Sequence, residues 1–229
     1  MNPARDNPLN VLYLDNHLIA VAKPPGLPTQ SESIDRPSLL ELTRQWVKLE
    51  FKKPGKAFLG LVHRLDSPVA GVALFARTTK AASRLARQFR ERSVKKFYRA
   101  IVEGKPQPES GDLTHYLRKE KSLKATVFPR PAPDAKKAEL TYAVTESLAT
   151  KSVLEIELKT GRFHQIRAQL SFMGHPIVGD LKYGASTTLL EKHIALYAEK
   201  LIFHHPVSGK EIVIECPPPT HWTIALAEG

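Results

Sequence analysis

Asp66 closes the apolar run Leu61-Val62-His63-Arg64-Leu65-Asp66, and Ser67-Pro68 and then Gly71 follow it. A carboxylate there is either a turn residue bonding nearby backbone N–H groups or a group set apart for chemistry. About a hundred residues later, Gly161-Arg162-Phe163-His164-Gln165-Ile166-Arg167 offers it a cationic partner. A helix starting at Phe163 carries the apolar stripe Phe163, Ile166, Leu170 and Met173, and Arg167 falls inside that stripe. Docked on a core, it turns a guanidinium inward, and an unpaired buried charge is too costly to stand alone. A structural ion pair fits the pattern, as does a stripe rotated enough for Arg167 to reach water. If Asp66 is the partner, the pair holds the carboxylate ionised with a lowered pKa. Such a carboxylate suits nucleophilic or cation-stabilising work, not a general acid.

The elements that must position these groups follow from pattern. Residues 11–14 and 18–22 read as short strands around Asp15-Asn16, ending at the breaker Lys23-Pro24-Pro25-Gly26. A loop to Pro37 leads to Ser38, which N-caps a helix with Glu41 at capping-box spacing and Leu39, Leu42, Trp46 and Leu49 on one face. Strands are expected at 58–65 and 72–75. Thr78 or Thr79 then opens a helix whose Ala82, Leu85, Ala86 and Phe89 share a face. Strands are expected at 97–103, 139–145 and 153–159, with Pro-rich loops at 104–111 and 129–134. The helix over 163–173 stops at Gly174 with Pro176 beyond. A further helix is expected around 189–198, then strands near 201–203 and 211–214. This order lacks βαβ alternation, so the fold class is α+β: a mixed, largely antiparallel β-sheet with flanking helices and a central catalytic cleft. No GxGxxG or GxxxxGK[ST] string occurs. The expectation is a tail over 1–9 without structure and one compact catalytic unit over 10–229.

Charge narrows the partners. The chain has 229 residues, with 34 Lys and Arg against 23 Asp and Glu and a formal net charge of +11. Residues 77–99 hold nine basic residues against the single acid Glu91. That distribution favours a polyanionic partner, although a solvated helix face explains a basic run equally well. One cysteine, Cys216, permits no intrachain disulfide and suits a reducing compartment. The first ten residues lack the character of a signal or transit peptide, and no stretch approaches the roughly 20 apolar residues of a membrane span. The expected location is the cytoplasm. The nine histidines, His204-His205 included, show no metal-ligand spacing.

Four motifs occur in order: His63-Arg64-Leu65-Asp66, Lys95-Lys96-Phe97-Tyr98-Arg99-Ala100, Gly161 to Arg167, and Gly174-His175-Pro176-Ile177-Val178-Gly179-Asp180. Together with Leu18-Ile19-Ala20-Val21-Ala22-Lys23-Pro24-Pro25-Gly26 they resemble the RluA-type pseudouridine synthases over nearly the whole chain. The resemblance implies an isomerase without cofactor or metal that converts uridine in structured RNA, ribosomal or transfer, to pseudouridine. It needs no protein partner and is expected to be a monomer. Asp66 is then the catalytic aspartate, Arg167 its salt-bridge partner and Tyr98 the ring on the target base. Arg64 contacts phosphate or displaces the base, and His63, Arg162, His164, Lys95 and Lys96 are the further RNA-binding candidates. The chemistry agrees. Cleaving N1–C1′ makes positive character at the sugar that an ionised Asp66 can capture. Tyr98 can stack on an extruded uracil and assist loss of the C5 proton, although the same residue also reads as an ordinary half-buried strand tyrosine. Phosphate contacts can offset the cost of extrusion.

Two departures stand out. Val69-Ala70 occupies the place where the family commonly has Thr-Ser before Gly71, removing two hydroxyls near Asp66. Many relatives also carry an N-terminal S4 domain, whereas about ten residues precede the first strand here, so RNA recognition is expected within the catalytic domain. Other readings are a non-catalytic RNA-binding protein that keeps the fold, and a nucleosidase or glycosidase. The latter normally needs a second carboxylate, for which Asp180 is the obvious candidate, although after Gly179 it reads more simply as a turn residue.

Overall fold

The computed structural model describes residues 9–31, 37–52, 54–189 and 193–227. The expected tail over 1–9 therefore lies outside the described residues apart from Leu9. The described residues group into two compact units: those up to Val94 together with Lys200–Pro217, and those of Lys95–Glu199 together with the ones from Pro218 onward.

The first unit is built around two strands buried on both faces. β1 (Val11–Leu14) pairs antiparallel with β2 (Leu18–Lys23). Helix α1 (Leu39–Glu50) follows, its N-terminus capped by Ser38 Oγ accepting from Glu41 N at 3.4 Å. β3 (Gly60–Leu61) and β2 both pair with β4 (Ala70–Ala76), all of whose residues are buried. Alternation then sorts side chains to two sides. Leu18, Ala20, Val72 and Leu74 pack with Ala81 and Leu85 of α2 (Thr79–Arg90), which Thr78 caps. Ile19, Val21, Ala73 and Phe75 pack with Leu39 and Val47 of α1.

In the second unit, β5 (Lys95–Glu103), β6 (Ser110–Lys119), β7 (Ala125–Phe128), β8 (Lys136–Ser147) and β9 (Lys151–Leu158) run in the spatial order β5-β9-β8-β6-β7, every neighbour antiparallel. Helix α3 (Gln165–Phe172) lies against β6 and β7, where Ala168 joins Leu117, Ala125, Ala138 and Tyr183 in a core. A 3₁₀ turn covers Leu181–Tyr183. β10 (Leu196–His204) gives its first residues to this unit and its last to the first unit, where it lies beside β4 and pairs with β11 (Glu211–Glu215). Helix α4 (Thr220–Ala227) closes the chain. No helix among the described residues is long and apolar enough to cross a membrane.

Several expectations are corrected. The strand expected over 58–65 shrinks to two residues, because the backbone around Leu65 and Ser67 bonds to another loop and not to a ladder. The helix expected around 189–198 is replaced by β10 from Leu196 onward, with 190–192 outside the described residues. An apolar run of that length does not separate helix from buried strand. β6 begins inside the loop expected over 104–111. α3 starts two residues later than expected, and six consecutive residues, Gln165 to Leu170, are buried. These six residues are covered on all sides, so a single apolar stripe understates the burial of the helix.

Candidate active site

Asp66 sits partly exposed in the segment between β3 and β4, and its main chain is fixed from both sides by residues 23–29. Its own carbonyl closes a turn by accepting from Val69 N at 3.0 Å. On one side, Thr29 Oγ1 donates to Leu65 O at 2.8 Å and accepts from Leu65 N at 3.1 Å. On the other, Ser67 O accepts from Gly26 N at 2.8 Å and from Lys23 Nζ at 2.9 Å, and Ser67 Oγ donates to Gly26 O at 2.8 Å. Gly26 has φ +81°, a left-handed conformation that glycine adopts without a Cβ penalty.

Lys23 is the anchor of this cradle. It is 2 % exposed, and Nζ donates to three carbonyls, Pro24 O at 2.8 Å, Leu27 O at 2.7 Å and Ser67 O at 2.9 Å. Three acceptors match the three donors of an ammonium. Burial pushes its pKa down to about 7, against the opposing pull of the Asp66 charge. In the sequence Lys23 reads as part of a breaker and of the Leu18 to Gly26 motif, with no role of its own, yet alternation along β2 carries a signal: Ile19, Val21 and Lys23 share the buried face toward α1. Val69 and Ala70 are buried apolar residues, so support for the Asp66 backbone comes from Lys23, Gly26 and Thr29 and not from hydroxyls at 69 and 70.

Of the neighbouring candidates, Arg64 is exposed. His63 is tied inward, its Nε2 accepting from Leu74 N at 2.9 Å and its ring stacked on Phe89 at 5.1 Å. It braces the Asp66 segment against β4 and α2.

In the second unit, Tyr98 is 8 % exposed on β5, opposite Ile156 of β9. Lys95 and Lys96 begin the same strand, the first exposed and the second half-buried. Arg167, 5 % exposed, is gripped by Asp180, 1 % exposed: Nε donates to Oδ2 at 2.7 Å and Nη2 to Oδ1 at 2.8 Å. Reading Asp180 as a turn residue is therefore corrected; it is a buried chelating carboxylate, a role that no local pattern thirteen residues away announces. The Arg167 guanidinium also lies 5.1 Å from the centroid of the Tyr183 ring.

The N-terminus of α3 is fixed without an ordinary cap. His164 takes the left-handed conformation, φ 51° and ψ 28°, and its side chain caps nothing. Gln165 substitutes from inside the helix, Oε1 accepting from Arg162 N at 3.0 Å and Thr160 Oγ1 at 2.7 Å while Nε2 donates to Glu139 O at 3.1 Å. Arg162 Nε donates to Lys137 O at 2.9 Å. The His164 ring stacks on Phe163 at 3.8 Å, and its Nδ1 lies 2.9 Å from the Tyr183 hydroxyl, which itself accepts from Ala125 N at 2.7 Å. The Tyr183 hydroxyl thus ties the His164 ring to the β7 backbone. Burial, then the charges of Arg167, Lys182 and Lys119, pushes the His164 pKa down to about 3. The structure thus groups Arg162, His164 and Arg167 around α3 in one unit, and His63, Arg64 and Asp66 in the other. Among the described residues no group of three or more His, Cys, Asp or Glu is placed to hold a metal ion.

An antiparallel α+β architecture of this kind is found in solved pseudouridine synthase structures. That of human RNA pseudouridylate synthase domain containing 4 superposes with a TM-score of 0.81 and 25% identity, covering 98% of this chain and 94% of the other. The family description RNA pseudouridylate synthase matches residues 17–172. An uncharacterized RNA pseudouridine synthase of Bacillus subtilis is 32% identical over 214 residues, covering 92% of this chain and 69% of that protein. A ribosomal large subunit pseudouridine synthase D of Xanthomonas campestris pv. campestris is 35% identical over 232 residues, covering 94% and 67%. The chain belongs to the RNA pseudouridylate synthase family, whose members are isomerases acting on RNA.

Proposed function

We propose that this protein is an RluA-type synthase that isomerises a uridine in ribosomal or transfer RNA in the cytoplasm, with Asp66 as its catalytic carboxylate. The observation that carries the reading is the fixing of the main chain on both sides of Asp66 by Lys23, Gly26 and Thr29. A carboxylate on an immobilised backbone meets C1′ in one geometry, and positioning of that kind lowers a barrier.

In this reading Asp66 stabilises positive charge at C1′ as the N1–C1′ bond breaks. The uracil turns, C5 bonds to C1′, the C5 proton leaves and N1 gains one, so the RNA mass is unchanged. Tyr98 lies against the base and assists the C5 proton. Arg167, held rigid by Asp180, is the third catalytic residue of this reading. Arg64, Arg162, Lys95 and Lys96 contact phosphate, His63 braces the Asp66 segment beneath the RNA, and His164 is a further RNA contact.

Tritium release from RNA labelled at C5 of uridine tests this, with transfer and ribosomal RNA pools and wild type beside Asp66→Asn. Release by wild type alone, without free uracil, is expected. Salt-sensitive RNA binding by both proteins with no release from either pool would replace the synthase with a non-catalytic RNA-binding protein. Free uracil would indicate a nucleosidase.

A further inference from the structure

We propose that the groove between α2 and the β10–β11 turn is a phosphodiester-binding site that docks the backbone of the substrate RNA; this deepens the synthase reading and rests on it. The groove encloses about 440 Å³ and is lined by Arg84, Arg87, Gln88, Ser93, His204 and Gly209 among others, and none of its lining residues is acidic. It lies wholly within the first unit.

Its shape follows from α2. Leu85 and Ala81 anchor the helix in the core, which leaves Arg84, Arg87 and Gln88 together on another face at helical spacing. Two contacts hold that face to the turn. Gln88 acts as a short stretch of strand, Nε2 donating to His204 O at 2.7 Å and Oε1 accepting from His204 N at 3.0 Å. Arg84 Nη1 donates to Pro206 O at 2.6 Å, leaving the rest of its fork of donors toward the groove.

The turn is internally fixed as well. His205, 8 % exposed, accepts from Val207 N at 3.2 Å and Ser208 N at 3.0 Å through Nδ1, and its Nε2 meets Asp15 Oδ2 at 2.8 Å. Asp15 is the acid behind this wall, and its oxygens also accept from His17 N, Leu18 N and the Tyr13 hydroxyl. That carboxylate is saturated and does not compete for the groove's cations. Arg87 and His204 are exposed, as is Lys80, so Lys80, Arg84 and Arg87 form a cationic row along about 10 Å of helix.

A pre-shaped, acid-free groove with guanidinium forks suits phosphate, whose oxygens accept bidentate N–H pairs. An open groove beside a cationic row suits a phosphodiester chain better than a small enclosed anion. Contacts of this type position RNA and carry no sequence information, so the site adds affinity and orientation to whatever selects the uridine.

The test measures dissociation constants for bulk transfer RNA and ribosomal RNA between 50 and 200 mM KCl. Wild type is compared with Arg87→Gln, Arg84→Gln/Arg87→Gln and Arg87→Lys, each checked by thermal melting. The double variant is expected to lower the salt slope by about 0.7–0.9 per lost phosphate contact and to weaken binding about tenfold. Arg87→Gln, which breaks no side-chain hydrogen bond seen among the described residues, should show about half that loss of slope, and Arg87→Lys should keep the slope. If the Gln variants keep the wild-type slope while wild type binds RNA, the groove is not a phosphate site and the synthase reading stands. Wild type that binds neither pool would overturn both.

Discussion

Asp180 chelates Arg167 through two parallel hydrogen bonds of 2.7 and 2.8 Å, with both side chains nearly without solvent exposure. The carboxylate occupies the Nε and Nη2 edge and fixes the plane of the guanidinium. Such a pair defines a direction: a cation locked in one orientation can hold another group ionised, which a flexible surface arginine does poorly.

Breaking the pair and replacing it should have opposite effects. Asp180→Asn takes the chelating negative charge from a guanidinium in a nearly dry site and should cost about 3–5 kcal/mol of stability. Arg167→Met/Asp180→Leu fills the same space with apolar atoms and should recover most of that loss. Urea unfolding reads the stability, and tritium release reads the reaction. The double variant is expected to fold well and release no tritium; release near the wild-type rate would reduce Arg167 to a structural role.

Lys23 makes stability depend on alkaline pH. Burial lowers its pKa from the ordinary 10.5 to about 7. Between those values the unfolded chain binds more protons than the folded protein, so the Lys23 contribution to stability rises with pH, by up to about 1.4 kcal/mol per unit. Below pH 7 both states are protonated and the cost of the buried ammonium is fully present. The difference in unfolding free energy between wild type and Lys23→Met should therefore climb from pH 7 toward pH 10. A flat difference would mean that the three carbonyls and Asp66 hold the ammonium at its ordinary pKa.

How much of this was legible in the sequence depended on the range of the interaction. Asp66 could be singled out because an apolar run ending in a carboxylate is a local pattern. β2 and β4 could be found because strands buried on both faces read as continuous apolar runs. The cradle was hidden: Thr29 meets Leu65 across 36 residues and Lys23 meets Ser67 across 44, distances that no periodicity encodes. Arg167 was expected inside, but its carboxylate had to be seen, since the pattern did not distinguish Asp180 from a turn residue. The β6–β7 hairpin escaped because β6 is mostly polar and buries little, so it lacks the alternation that marks a half-buried strand.

His164 produces the complementary acid dependence. Its pKa falls from 6.5 to about 3, through burial first and then the charges of Arg167, Lys182 and Lys119. Between pH 6.5 and pH 3 the unfolded chain takes up a proton that the folded protein refuses, so stability declines as pH falls through that window. His164→Asn should flatten the decline while keeping the left-handed backbone, which asparagine tolerates. Urea midpoints from pH 4 to pH 7 measure both proteins. Equal slopes would show that the ring protonates freely in the folded state.

Gly179 next to Asp180 tests how tightly the chelate is backed. Its φ of +85° disfavours any side chain, and a Cβ there would stand 2.4 Å from the His193 carbonyl oxygen, a backbone atom that cannot swing away. Gly179 N also bonds to Thr187 O and Asp180 N to Ile177 O, so a shift at 179 carries directly into the carboxylate. Gly179→Ala should therefore lower both the melting temperature and the rate of tritium release. Gly161, a glycine of the Gly161 to Arg167 motif, would place a Cβ with nothing within 4 Å and shows no positive φ. Gly161→Ala is expected to stay within about 0.5 kcal/mol of wild type. Equal melting temperatures for the two variants would mean that the segment around His193 yields, and that Asp180 is held by its bonds to Arg167 and not by the packing behind it.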